Sequence, residues 1–299
     1  MNEFCRIIDD IYLLKTPSGG VWSGIILIDG DEKILVDSGD SADHIDKLLC
    51  PALRELGYGL KDITWLCNTH CHGDHVGGHA RILELADVKV ATYIESCAKI
   101  KDPLKYAKQI RAVYPEFSPP ASASLKGVEP DCILRDGDIL GGRLQVIAAP
   151  GHDTDCVVFY DRKTKTLITG DSLQGNGTAT QGTALYMDLD AYQSTVEKLL
   201  KMDVENIISG HPYLVSGEFA VGKDEAAEYL EKCRSIIGQY DVYIRQQIKG
   251  GNTDKVQIAK GLIQYMGNQE PTFLFLPLYT VDTHLCKILQ TKKESNRNE

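Results

Sequence analysis

The stretch His70-Cys71-His72-Gly73-Asp74-His75 gathers three imidazoles and a carboxylate within six residues. Such a cluster gains little by packing, because burying unpaired polar rings and acids is costly. It suits metal binding better. In an extended segment, residues two apart face the same side, so His70 and His72 can grip one ion. Gly73 permits a sharp turn that aims Asp74 and His75 toward a second. Borderline-soft zinc favours imidazole and accepts carboxylate. Three further candidates each follow a glycine at the end of an apolar run: His152 in Pro150-Gly-His152, Asp171 in Thr169-Gly-Asp171, and His211 in Ser209-Gly-His211. Taken singly, such a His reads as a surface or capping residue and such an Asp as a turn residue. Beside the six-residue cluster, all of them read as ligands.

The elements that must position these groups alternate in a recognisable way. Strands are expected over residues 6–14, 21–28 and 33–36, with a hairpin turn at Asp29-Gly30-Asp31. Ser41 begins a helix over 42–56 that Gly57 ends. A strand over 63–67 runs straight into the His/Asp cluster, followed by a helix over 76–86 and a strand over 88–93. Residues 94–120 read as helical with a break at Pro103. Strands return at 132–134, 143–149, 156–160 and 166–169, then a helix over 189–202 and a strand over 207–209. The loop 114–126 and the Gly-rich loop 172–186 should border the metals; the second reads equally as a lid or as a plain connection. From Phe219 onward the periodicity is helical, over 225–240, 241–248, 253–266 and 281–290, with a polar, frayed tail after Lys292. Two units are therefore expected, 1–218 and a helical extension, 219–299.

The order HxHxDH, then His, Asp and His, preceded by Asp37-Ser38-Gly39 after a strand, resembles the metallo-β-lactamase-fold hydrolases over roughly residues 5–215. The resemblance implies an α/β (α+β) four-layer αββα sandwich, with metals at one edge and the helical appendage at the C-terminus, possibly of winged-helix type around residues 280–285. It also implies roles. His70, His72 and His152 would hold one metal, Asp74, His75 and His211 the other, and Asp171 would bridge them. Asp74 would also accept a proton, and Asp37 would orient the cluster from behind. Cys71, between two ligands, should face away as a structural thiol. Two zinc ions per chain are implied, with iron or manganese as alternatives. The implied reaction is hydrolysis of an ester, thioester or lactone of a small molecule by a metal-bridging hydroxide. An iron-dependent persulfide dioxygenase using His70, His152 and Asp171, and a phosphodiesterase, stand as alternatives. Tyr186 is a candidate substrate contact. His284 reads as structural, with a pocket role left open.

Composition narrows the partners. The 299 residues carry 32 Lys and Arg against 42 Asp and Glu, a net charge of −10. That excess argues against non-specific nucleic-acid binding, which needs a basic surface. No apolar run reaches the ~20 residues of a membrane span. The nine cysteines are scattered without a CxxC pair, which suits reduced thiols. The opening MNEFCRIIDD is acidic where a secretory leader would be basic and then apolar. A cytoplasmic enzyme is expected, with no nucleic-acid or membrane partner; the helical extension covers the pocket or makes a homodimer contact.

Overall fold

The run Ile25-Ile26-Leu27-Ile28 is buried on both faces of its strand, and this reveals how the layers stack. Ile26 and Ile28 enter a core between two sheets, while Ile25 and Leu27 pack under helices on the opposite face. The computed structural model describes residues 3–214 and 218–295. One sheet holds, in spatial as well as chain order, β1 (Cys5–Ile8), β2 (Ile11–Ser18), β3 (Val21–Asp29), β4 (Lys33–Val36), β5 (Trp65–Cys67), β6 (Lys89–Tyr93) and β7 (Cys132–Leu134). It is antiparallel as far as β4 and parallel thereafter. The second comprises β8 (Ile139–Leu140), β9 (Leu144–Ala148), β10 (Val157–Asp161), β11 (Thr166–Gly170), β12 (Asn206–Ser209) and β13 (Phe219–Val221), again neighbours in order.

Val36, Ile26 and Leu134 of the first sheet meet Val146, Phe159 and Ile168 of the second. Ile45, Leu49, Leu53 and Ile82 cover the outer face of the first sheet. Tyr192, Val196, Leu230, Ile237 and Ile263 cover that of the second. Each such side chain contributes roughly 1.5–3 kcal/mol by leaving water. The result is the expected four-layer αββα sandwich. Parallel pairing then fixes where the chemistry sits. Val36 is registered with Cys67, and Gly170 with Ser209, so the strand ends that lead to Asp37, His70, Asp171 and His211 open at one edge.

Several elements differ from the sequence reading. The strand expected over 6–14 is a hairpin, because Asp9 takes a left-handed conformation (φ 45°) that splits β1 from β2. The helix over 42–55 widens to a π turn at Ile45–Leu49, just ahead of Pro51, whose ring would clash with the carbonyl four residues back. The helix expected over 76–86 is two pieces, Gly73–Val76 and His79–Leu85. The break falls at Gly77 and Gly78, where an added Cβ would lie 2.2 Å from the Asp40 carbonyl oxygen and 2.4 Å from that of Ser38. These glycines let the cluster press against the loop that carries Asp37.

The C-terminal segment also differs in detail. Residues 219–221 pair with β12 and so complete the second sheet. The helices expected over 225–240 and 241–248 are one, Lys223–Lys249. It is followed by Lys255–Tyr265 and Phe275–Ser295; the latter starts earlier than expected because Pro277 is tolerated in a first turn. Among the described residues after Val221 there is no strand, so no winged-helix wing is present there. The last helix continues past Lys292; the end of the tail expected to fray, 296–299, lies outside the described residues. No helix among the described residues is long and apolar enough to cross a membrane.

Candidate metal centre

Asp37 organises the cluster from beneath. It is fully buried, follows β4 and takes a left-handed conformation (φ 63°). Its Oδ1 accepts the Thr69 backbone N–H at 2.7 Å, and its Oδ2 accepts the Thr69 hydroxyl at 2.8 Å. The same Oδ2 lies 2.8 Å from His75 Nδ1. Next door, the Ser38 hydroxyl bonds the His75 carbonyl (3.2 Å) and lies 2.7 Å from His79 Nδ1. Burial lowers the pKa of His79 to about 3, so it is a neutral strut rather than a ligand.

Each of the five candidate imidazoles has one ring nitrogen set against an acceptor. His75 Nδ1 faces Asp37, His211 Nδ1 faces the Trp22 carbonyl at 2.7 Å, and His152 Nδ1 faces the Leu185 carbonyl at 2.9 Å. His70 Nδ1 lies 3.1 Å from the Thr69 hydroxyl, and His72 Nε2 lies 3.3 Å from Asp153 Oδ2. A ring that donates from one nitrogen keeps a lone pair on the other. Those other nitrogens converge. His152 Nε2 is 3.1 Å from His72 Nδ1, and His75 Nε2 is 3.3 Å from His211 Nε2. Asp171 lies between the groups, with Oδ1 3.4 Å from His75 Nε2 and Oδ2 3.7 Å from His152 Nε2. Asp74 Oδ2 is 3.1 Å from His211 Nε2. Three sets of potential ligand atoms result: His70, His72 and His152; His70, His75 and Asp171; Asp74, His75 and His211.

The electrostatics describe a site built for cations. Burial and neighbouring imidazoles hold His70 well below its ordinary pKa, and burial with His72 lowers His152 to about 4. Burial also opposes charge on His75, yet Asp171, Asp37 and Asp74 outweigh it and hold that ring above the usual range. Burial would raise Asp171, but His211 and His75 pull it well below the carboxylate norm. His70 Nε2 and Asp171 Oδ1 are both buried without a hydrogen-bond partner. Native proteins rarely leave such atoms orphaned; a metal ion is the partner that this mixed set of lone pairs fits.

The family model described as the metallo-beta-lactamase superfamily matches residues 17–211. The chain belongs to the metallo-beta-lactamase superfamily. A Drosophila melanogaster protein named beta-lactamase-like protein 2 homolog is 28% identical over 264 residues, 88% of this chain and 80% of the relative. Its Caenorhabditis elegans namesake is 27% identical over 185 residues, spanning 61% of this chain and only 52% of that protein. Among solved structures, a metallo-beta-lactamase family protein from Thermus thermophilus shares the fold at 18% identity, with a TM-score of 0.72 over 94% of each chain.

In this superfamily member His72, Asp74, His152, Asp171 and His211 border a cavity of about 520 Å³ together with both expected loops, through Ser122 and Leu125 on one side and Thr178 and Gln181 on the other. The Gly-rich loop is pinned. Gln174 Oε1 accepts from Gln181 Nε2 (2.6 Å) and the Leu185 N–H (2.7 Å), while the hydroxyl of Tyr240 accepts from the Ala184 N–H (2.9 Å). Asn268 Nδ2 donates to the Gly182 carbonyl at 2.7 Å. The C-terminal segment thus helps hold the loop that sets the Leu185 carbonyl and Gln174 Nε2 each 2.9 Å from His152 Nδ1. Cys71 is buried, with Sγ 3.7 Å from the Ser96 carbonyl, as a structural thiol should be. Tyr186 is not a substrate contact: it is fully buried, and its hydroxyl lies 2.7 Å from His284 Nε2, which keeps both residues in the core.

Tyr213 was not singled out in the sequence. It lines the cavity, and its hydroxyl donates to Asp171 Oδ2 at 2.9 Å. Its signal was faint, a Tyr two residues after a ligand candidate. A Tyr213→Phe protein should fold normally and lose about 10-fold in kcat/KM, since one charge-assisted bond to a ligand carboxylate is removed. Steady-state kinetics with metal analysis would check this; unchanged kcat/KM would sink the assignment. Asp153 and Lys99 were missed as well. Asp153 sits behind His72 and accepts from Lys99 Nζ (2.7 Å) and from the Tyr106 hydroxyl.

Proposed function

We propose that this chain is a dinuclear metallohydrolase acting on a thioester, ester or lactone of a small molecule, with thioesters favoured. The observation that carries the reading is the convergence of oriented imidazole lone pairs and two carboxylates at one end of a cavity. His70, His72 and His152 would hold one ion, Asp74, His75 and His211 a second, with Asp171 shared; zinc suits this donor set, and iron or manganese are alternatives. Bound ions of this kind lower the pKa of water and polarise the carbonyl under attack.

The chain's own residues supply the rest. Asp74 has 32% of its side chain exposed, more than the other ligand candidates with stated exposure, so its Oδ2 can accept a proton from water entering from the cavity. Tyr213 holds Asp171 in place from its hydroxyl. Ile110, Leu125, Leu185, Met187 and Phe275 give the cavity an apolar wall that seats an acyl group and excludes water. Support for a thioester comes from relatives named atrochrysone carboxyl ACP thioesterase, one 24% identical over 50% of this chain in Cryptosporiopsis and another 24% identical over 62% in Aspergillus fumigatus.

The test pairs metal analysis with turnover of a thioester, a lactone, an aryl ester, a phosphodiester and a cephalosporin. About two ions per chain and the highest kcat/KM on the thioester are expected. A single iron with no hydrolysis of any acyl substrate would overturn the reading.

A further inference from the structure

Arg111 stands on the cavity wall, and among the described residues no carboxylate forms an ion pair with it. It ends the helix Pro103–Arg111 and borders the same cavity as His72, Asp74 and Asp171. No Lys and no second Arg is among the described residues that line this space. One of its N–H groups is used: Nη1 donates to the Ala107 carbonyl at 3.1 Å, an ordinary closure of a helix end. The guanidinium carbon lies 6.0 Å from the centre of the Phe275 ring, at the outer reach of a cation–π contact. Its Nε is buried and has no acceptor. Burial pulls its pKa down despite the attraction of Asp74, so the cation is partly stripped of water.

A desolvated, unpaired cation is expensive to keep. The helix-end bond accounts for one of five N–H donors and leaves the rest of the fork unexplained. Around it, Ile110, Leu125 and Phe275 provide an apolar wall that suits a short carbon chain between a reacting carbonyl and a distant charge. We propose that Arg111 recognises an oxyanion on the substrate, a carboxylate at the far end of the acyl group. The planar guanidinium matches a carboxylate with paired N–H···O bonds, which an ammonium could not do equally well. Phosphate on the leaving group would offer the same chemistry from the other side of the scissile bond. The inference rests on the hydrolase reading for the identity of the substrate, but not for the binding it predicts.

Two measurements on the zinc-loaded protein test it. In calorimetric titrations, glutarate should bind at least about tenfold more tightly than butyrate, because only the former has a second carboxylate to reach Arg111. Arg111→Gln should close most of that gap, and Arg111→Lys should keep part of it. In kinetics, the glutaryl thioester of N-acetylcysteamine should exceed the butyryl thioester at least about tenfold in kcat/KM. Arg111→Gln should lower the first at least tenfold more than the second. Equal binding of glutarate and butyrate, or a gap that Arg111→Gln leaves intact, overturns the inference. A preference for a butyryl thioester of phosphopantetheine, abolished in Arg111→Gln, overturns the carboxylate assignment and moves the anion to the leaving group. Glutarate selectivity without any acyl hydrolysis would sink the hydrolase reading and leave the oxyanion site standing. Hydrolysis without charge preference would do the reverse.

Discussion

An Asp171→Ala protein should stay folded, bind fewer than two ions and lose on the order of 10³-fold or more in kcat/KM. Its carboxylate lies within 3.7 Å of ring nitrogens from both halves of the centre, His75 and His211 on Oδ1 and His152 on Oδ2. Removing it strands the Tyr213 hydroxyl, a loss of about 1–3 kcal/mol that a domain of this size can absorb. Activity should therefore fall far more than melting temperature. A companion effect concerns protons. In the metal-free chain Asp171, Asp74 and neighbouring carboxylates hold His75 and His211 above the ordinary histidine range, against burial. These rings hold a proton more tightly than a free histidine, and an incoming metal competes with that proton, so zinc binding should release protons and weaken as pH falls. Titration calorimetry in buffers of different ionisation enthalpy reads the release directly. Two ions bound in Asp171→Ala with near-normal turnover would remove Asp171 from the centre.

The candidate centre was legible in the sequence where its logic is local. His70, His72, Asp74 and His75 declare themselves by spacing, and Gly170 and Gly210 mark the tight strand ends that carry Asp171 and His211. An added Cβ on Gly170 would meet Thr69 Oγ1 at 2.3 Å, and one on Gly210 would meet Asp171 Oδ1 at 2.7 Å. The layered fold was legible through the resemblance that these same motifs carry, and the run at residues 25–28, buried on both faces, agrees with it. What escaped depends on distant pairing. Tyr213 meets Asp171 across 42 residues, and Tyr240 reaches Ala184 across 56. Neither contact leaves a periodic trace. Arg111, at the end of a helical stretch, is marked out only by the cavity it borders. Tyr186 misled because closeness in sequence to Asp171 says nothing about which face of the loop it takes. A helix expected to be continuous breaks where Gly77 and Gly78 let the chain pack closely, and the π turn ahead of Pro51 leaves no periodic trace.

Asp37 offers the sharpest separation of structure from chemistry, because two substitutions there should fail differently. Asp37→Ala leaves three buried donors without an acceptor: the Thr69 N–H, the Thr69 hydroxyl and His75 Nδ1–H. It also puts Ala at φ 63°, which Asp tolerates better. A loss of about 3–5 kcal/mol is expected, or a fall in melting temperature of roughly 6–15 °C. Asp37→Asn keeps one oxygen for the Thr69 N–H and tolerates the left-handed backbone. Its amide, however, presents N–H groups where His75 now donates. The ring must then accept at Nδ1 and carry its proton on Nε2, the nitrogen that faces Asp171 and His211 at 3.4 and 3.3 Å. A protonated Nε2 cannot bind a metal. Asp37→Asn should therefore melt within a few degrees of the metal-free parent, yet lose most of its second ion and roughly 10²-fold or more in kcat/KM. Melting curves, metal content and the NMR tautomer signature of His75 distinguish the two outcomes. An Asp37→Asn protein that binds two ions with the His75 proton still on Nδ1 would show that the carboxylate only supports the loop and does not set the ligand.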